Sequence, residues 1–278
     1  MTMSFITLLR PLHWVKNLLV FVPIFFAREI FMADRMMAAF YAFLAFSLTA
    51  SAVYIINDIV DRQHDAQHPI KRLRPIASGA VSITQAVMLL VILLAGGAIL
   101  VYFLSPQLAV IIGAYLLLNL LYSFYLKHWP IFDIVLISSL YLLRVVGGGV
   151  ASQTHISTWL ILCTVFISLF LIVGKRRVEF SQLHRRKVLG LYSGELLDHL
   201  FGIAAGLTII SYGLYTILGV NSELAVYSIF LVLIGIFRYL LITYRSAVAE
   251  YPERVLWSDK IISGSVLAWL IFMYFIFY

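Results

Sequence analysis

The sequence predicts an all-α, polytopic membrane protein, and three observations carry that prediction. The 278-residue chain is 63% hydrophobic and only 12% charged, with a mean hydropathy of +1.00. Apolar runs of about 20 residues recur along it, each long enough to cross the roughly 30 Å hydrocarbon layer of a bilayer. The alternating apolar–polar pattern of a membrane barrel is absent, which leaves helices as the structure that satisfies its own backbone in lipid.

Nine spans are expected, near residues 17–33, 36–57, 82–104, 107–126, 131–151, 157–174, 196–218, 224–244 and 259–278. The links between them alternate in character. The N-terminal stretch and the links at 58–81, 127–130, 175–195 and 245–258 are basic; those near 33–35, 105–106, 152–156 and 219–223 are short. Sixteen of the twenty Lys and Arg, Arg185 and Arg186 among them, fall on the first side, and only Arg28 and Arg35 on the other. The positive-inside rule makes the basic face cytoplasmic, with the N-terminus inside and the C-terminus outside. The same distribution accounts for most of the net charge of +7, so no nucleic-acid partner is implied. No cleavable leader is expected, because Arg10, His13 and Lys16 precede the first apolar run without a small-residue cleavage site. The single cysteine, Cys163, lies inside an apolar run and excludes both a disulfide framework and a cysteine metal site.

Two arginines fall within spans. Arg238 stands near a span end, from which its head can reach the interface. Arg144 is deeper, in Leu142-Leu143-Arg144-Val145-Val146-Gly147-Gly148-Gly149, and an intramembrane charge of this kind faces a polar cavity. The three glycines permit either close helix packing or room for a ligand.

A polar stretch, Asn57-Asp58-Ile59-Val60-Asp61-Arg62-Gln63-His64-Asp65, stands where the second span ends; it carries three of the thirteen acidic residues. At roughly 100° per residue, Asp58, Asp61 and Asp65 fall within about 60° of one another on a helix. Carboxylates at a helix C-terminus oppose the macrodipole and repel one another, so a solvated helix end explains them poorly. As hard oxygen ligands they suit Mg²⁺, which is usually held by one or two carboxylates while substrate phosphates complete its shell. His68-Pro69-Ile70-Lys71-Arg72-Leu73-Arg74-Pro75 follows directly, and Gly174-Lys175-Arg176-Arg177-Val178-Glu179 ends the sixth expected span. These cations around a carboxylate cluster suit a metal-bound polyphosphate. His64 and His68 share the i, i+4 spacing of a zinc pair, but Pro69 interrupts a helix there.

The Asn57-Asp58-x-x-Asp61-x-x-x-Asp65 pattern resembles the first Asp-rich motif of the UbiA-type superfamily of membrane prenyltransferases. A wider set is similar to one branch, the decaprenyl-phosphate phosphoribosyltransferase-like proteins: Arg10-Pro11-x-x-Trp14-Val15-Lys16-Asn17, the 68–79 run, Tyr122 to Lys127 with Asp133, Leu143-Arg144, Gly174-Lys175-Arg176, Pro252-Glu253 and Asp259-Lys260. The resemblance implies one domain over residues 1–278, a nine-helix bundle in the inner cell membrane around a cavity open to the cytoplasm. The superfamily's aromatic prenyltransferases carry a second motif, DxxxD, after the sixth span. Here Lys175, Arg176, Arg177 and the lone Glu179 stand in its place, which disfavours prenyl diphosphate as donor.

The branch implies instead Mg²⁺-dependent transfer of 5-phosphoribose from phosphoribosyl diphosphate (PRPP) to a polyprenyl phosphate, for cell-envelope glycan synthesis. Asp58, Asp61 and Asp65 would hold the metal, with Asn57 orienting it. Lys16, Asn17, Lys71, Arg72, Arg74, Tyr122, Lys127, Arg144, Lys175, Arg176 and Glu179 would line the substrates. Prenyl transfer to an aromatic acceptor is one alternative. A transporter or lipid flippase is another, although transporters place their polar features near the midplane. A homo-oligomer is left open.

Overall fold

A computed structural model describes the backbone of residues 2–67, 71–181 and 187–278. His68, and with it the His64 pair, lies outside the described residues, as do Arg185 and Arg186. The described chain forms twelve α-helices: α1 (Thr2–Leu9), α2 (Val22–Phe26), α3 (Ala33–Val60), α4 (Arg62–Gln67), α5 (Ile83–Leu104), α6 (Pro106–Phe124), α7 (Phe132–Ala151), α8 (Thr158–Phe180), α9 (Gly194–Leu218), α10 (Ile229–Arg245), α11 (Pro252–Ser258) and α12 (Lys260–Phe277). Eight helices among the described residues are long and apolar enough to cross a membrane. The expected first span differs. It is a 3-10 helix, Pro11–Phe21, running into the five-residue α2, a shorter apolar segment than the other eight.

Helix starts follow the side chains at the links. Ser82 and Gln85 form a reciprocal capping box at α5, the Ser82 hydroxyl accepting the Gln85 N–H at 3.2 Å and the Gln85 side chain accepting the Ser82 N–H at 3.0 Å. Ser157 and Ser193 cap α8 and α9 by accepting N–H groups three residues on, at 3.1 and 3.0 Å. The sixth expected span ends at residue 174, whereas α8 continues to Phe180. Pairing of Glu179 with Arg176 and Lys175 on the same helix face supports those extra turns.

The chain divides into two compact units, Met1–Phe124 with Leu143–His155, and Tyr125–Leu142 with Ile156–Tyr278. In the first, α3 is the central element, packed along α5 and the 3-10 segment. Its buried positions are mostly small, including Ala42, Ala45, Ser47, Thr49, Ala50, Ser51 and Ala52, and small residues let backbones approach closely where lipid supplies no hydrophobic drive between helices. The glycines after Arg144 serve this close packing. A Cβ on Gly148 would lie 2.0 Å from the Val20 carbonyl oxygen, and one on Gly147 2.5 Å from the Phe46 ring. Gly148→Ala is therefore expected to destabilise by about 1–3 kcal/mol or more, since a backbone atom cannot rotate away. Gly113→Ala, with nothing within 4 Å, should be near neutral; thermal unfolding of both variants in detergent checks the contrast.

The second unit is cored by α8, α9 and α10. Phe170, Phe201 and Tyr239 meet with centroids 4.9 to 6.4 Å apart, and Gly174 leaves room for the last two. Arg238, one of the two arginines within the expected spans, pairs with Asp259 at 2.8 Å. Asp259 also caps α12 by accepting the Ile262 N–H at 3.0 Å. The hydrogen bond from Arg238 holds the Asp259 carboxyl below its ordinary value of 3.8. A depressed folded-state value gives stability that is present above the ordinary value and lost as pH falls through it. Asp259→Asn keeps a capping side chain and removes the charge, so it should cost stability at pH 7 and progressively less below about pH 4. Thermal midpoints across that pH range check the convergence.

Candidate functional site

The Asp-rich stretch sits at the C-terminal end of α3. Its 28 residues extend about 42 Å at 1.5 Å per residue, longer than the roughly 30 Å of hydrocarbon that an untilted span has to cross. The helix stops at Asp61, whose N–H still bonds the Asn57 carbonyl at 2.9 Å, and the chain resumes at once as α4. The spacing predicts three carboxylates along one continuous helix face, but they do not share one helix: Asp58 lies on α3, Asp61 at its C-cap and Asp65 on α4.

The structure brings two of the three together. Asp58 and Asp65 are 2% and 1% exposed. A single nitrogen, Arg74 Nη1, lies 3.1 Å from Asp58 Oδ1 and 2.6 Å from Asp65 Oδ2. Arg10 Nη2 donates to the same Asp58 oxygen at 2.5 Å. Two buried carboxylates are thus neutralised by two guanidiniums. Asp61 and Asn57 are half-buried beside them, and Lys71 and Arg72 are exposed on the 3-10 turn that precedes Arg74. Among the described residues no group of three or more His, Cys, Asp or Glu side chains is arranged to hold a metal ion.

A polar stripe on α3 explains how the N-terminal segment reaches Asp58. Ser47, Ser51, Tyr54 and Asp58 recur at helical spacing on one face. Asn17 donates to Ser47 Oγ at 3.0 Å, Trp14 Nε1 to Ser51 Oγ at 3.0 Å, and Ser51 Oγ to the Leu9 carbonyl at 2.8 Å. The Arg10 guanidinium lies 4.9 Å above the Tyr54 ring before it meets Asp58. Arg10 holds a left-handed backbone conformation, φ 52°, which is uncommon for a residue with a side chain and is kept only where the surroundings fix it. The functional reading of the sequence missed Arg10. The stripe of hydroxyls in an otherwise apolar helix was the signal that could have located its partner.

Arg144 belongs to the same unit and is 5% exposed. Its Nε donates to Asn17 Oδ1 at 2.7 Å and its Nη2 to the Tyr115 hydroxyl at 2.8 Å. Ser47, Asn17, Arg144 and Tyr115 form one buried chain of hydrogen bonds, with Lys16 within electrostatic range of Tyr115. Tyr122 is half-buried on the last turns of α6.

The second unit holds the remaining predicted residues. Arg176 is 1% exposed; its Nε donates to Asp133 Oδ2 at 2.7 Å and its Nη1 to Glu179 Oε2 at 2.6 Å. The Tyr192 hydroxyl donates to Asp133 Oδ1 at 2.8 Å and accepts the Ile131 N–H at 2.6 Å. Burial, and then the Asp133 carboxylate, push the Tyr192 phenol far above its ordinary range, so it remains a donor at neutral pH. Lys175 Nζ lies 3.8 Å from Glu179 Oε1 and 5.8 Å from the Tyr251 ring centre. Lys127 is half-buried in the turn before α7.

Residues 20–258 match the UbiA prenyltransferase family. The chain is 35% identical over 277 residues to the decaprenyl-phosphate phosphoribosyltransferase of Mycobacterium tuberculosis, covering 94% of this chain and 90% of that one. It is 35% identical over 280 residues to the protein of the same name from Corynebacterium glutamicum, covering 94% and 83%. Among solved structures, a UbiA homologue from Archaeoglobus fulgidus bound to DMAPP and Mg²⁺ superposes with a TM-score of 0.72 at 16% identity, over 99% of each chain. Fold and sequence agree: this multi-pass chain belongs to the UbiA prenyltransferase family and is a membrane transferase, similar along nearly its whole length to decaprenyl-phosphate phosphoribosyltransferases.

Proposed function

We propose that the protein transfers 5-phosphoribose from PRPP to a polyprenyl phosphate, with Mg²⁺, at the inner face of the cell membrane. The observation that carries this reading is the convergence of two buried carboxylates, from two helices, on one cationic nitrogen. That pair of hard oxygens fits a divalent cation at the C-terminal end of α3. Asp58 and Asp65 would hold it, with Asp61 and Asn57 adjoining. When bound, it would neutralise the diphosphate and make it a better leaving group. The names of the two relatives support phosphoribosyl as the group transferred and a polyprenyl phosphate as the acceptor.

The chain's own residues would do the rest by position and charge. Arg74, Lys71 and Arg72 would meet the diphosphate oxygens. Arg144, which donates to Asn17 and Tyr115, would bring a positive charge to the acceptor phosphate, near Lys16. The C1–O bond to diphosphate breaks with the electron pair leaving on diphosphate, and an anionic oxygen of the polyprenyl phosphate forms the new bond to C1. The nucleophile is already ionised at neutral pH, so no His or Cys base is required. Orientation and fixed charge would supply the acceleration. The products are polyprenyl-phosphoryl-5-phosphoribose and diphosphate, and the lipid product would feed cell-envelope glycan synthesis.

The test is incubation of purified protein with labelled PRPP, polyprenyl phosphate and Mg²⁺, with mass spectrometry of the extracted lipid. A phosphoribosylated lipid that disappears on chelation is the expected result. Label transferred instead from a prenyl diphosphate to an aromatic acceptor would overturn the reading.

A further inference from the structure

Arg74 and Arg10 both neutralise Asp58, but they are built differently. Arg10 is fixed. Its backbone is held in the left-handed region, its guanidinium rests on Tyr54, and the neighbouring Leu9 carbonyl is tied to Ser51. Arg74 stands in the bend after the 3-10 turn. Its side chain is 29% exposed against 22% for Arg10, and among the described residues no aromatic ring lies under its guanidinium. Its contacts with Asp58 and Asp65 both use Nη1. Arginine binds carboxylates best through two parallel bonds from its fork; here one nitrogen is shared by two acids from two helices.

We infer that Arg74 is an exchangeable counter-ion: it occupies the point between Asp58 and Asp65 that a divalent cation would take, and gives it up when the cation arrives with diphosphate. This rests on the proposed metal site and adds an order to it. Held between the acids, Arg74 competes with the cation. Once displaced, it turns from competitor to partner, because the same guanidinium is then free to bind the diphosphate that the cation carries. Cation without diphosphate therefore meets resistance, and the pair together does not. Arg10 stays on Asp58 throughout and offsets one of the carboxylate charges, so the site does not hold cations indiscriminately.

The test uses full-length protein in detergent with two probes. Mn²⁺ binding alone is followed by electron paramagnetic resonance, and retention of radiolabelled inorganic diphosphate is measured at saturating Mg²⁺. Arg74→Gln should bind Mn²⁺ alone about tenfold tighter than wild type or more, since a charged hydrogen-bonding competitor is gone. The same variant should bind diphosphate about tenfold more weakly or worse. Opposite signs from one substitution are the signature, because simple damage to the site would weaken both. Mn²⁺ binding that depends on Asp58 but is unchanged or weakened in Arg74→Gln overturns the exchange and leaves the metal site standing. Mn²⁺ binding that is the same in Asp58→Asn as in wild type overturns both.

Discussion

Asp58→Asn is expected to lower phosphoribosyl transfer by about 10²–10³-fold, the typical loss when one preorganised electrostatic group is removed. The substitution keeps the side chain's volume and removes its charge. Asp58 is the acid that receives both guanidiniums, Arg10 at 2.5 Å and Arg74 at 3.1 Å, so it is the residue on which the charge balance of the site turns. The amide can still accept one hydrogen bond from Arg10 but cannot compensate two cations. Arg10 and Arg74 are each more than a fifth exposed, so water takes up much of the unbalanced charge and the fold should survive. A large loss of turnover with a thermal midpoint close to wild type is therefore the expected pair of results. Turnover within a few fold of wild type, or turnover indifferent to chelation, would remove the metal site from the mechanism. Asp65→Asn should follow the same direction because it shares Arg74.

The second large effect lies in stability. Arg176→Met is expected to destabilise by about 3–5 kcal/mol, the usual consequence of leaving buried charges without their partner. Asp133 is 0% and Glu179 6% exposed, and both use Arg176 as a counter-ion at 2.7 and 2.6 Å. Tyr192 would still donate to Asp133 and Lys175 would stay 3.8 Å from Glu179, but neither replaces the guanidinium that bridges the two buried acids. In detergent this corresponds to a fall of more than about 6 °C in unfolding midpoint. Replacing Arg176, Asp133 and Glu179 together by Met, Leu and Leu should recover most of the loss, because an apolar set of similar volume carries no desolvation cost. The measurement also decides the role of Arg176, which the sequence offered as a phosphate contact. A variant of unchanged midpoint with a raised KM for PRPP would make it a substrate group; a lowered midpoint makes it a strut that holds α8 to the start of α7.

Much of the architecture was legible because its cause is local. Hydrocarbon thickness fixes span length, so the expected spans at 82–104, 107–126 and 131–151 meet α5, α6 and α7 within about two residues. Ser82, Ser157 and Ser193 announce helix starts because a capping hydroxyl reaches only three residues on. The Asp-rich motif and its resemblance were readable for the same reason: Asn57, Asp58, Asp61 and Asp65 are neighbours in sequence. Local pattern failed where the chain departs from the α-helix, as at Pro11–Phe21, and where charge pairs prolong α8 beyond residue 174.

The sequence by itself determined a bundle of apolar helices with a carboxylate cluster where one of them ends. Only the tertiary structure decided which charges meet. Arg10 reaches Asp58 across 48 residues, Arg144 reaches Asn17 across 127, and Arg176 reaches Asp133 across 43. Helical periodicity cannot report such pairs, because a helix that is apolar on every side gives little contrast between its buried and lipid-facing surfaces. The choice of partner is made when the helices pack, and a buried charge then takes the counter-ion that packing brings within reach.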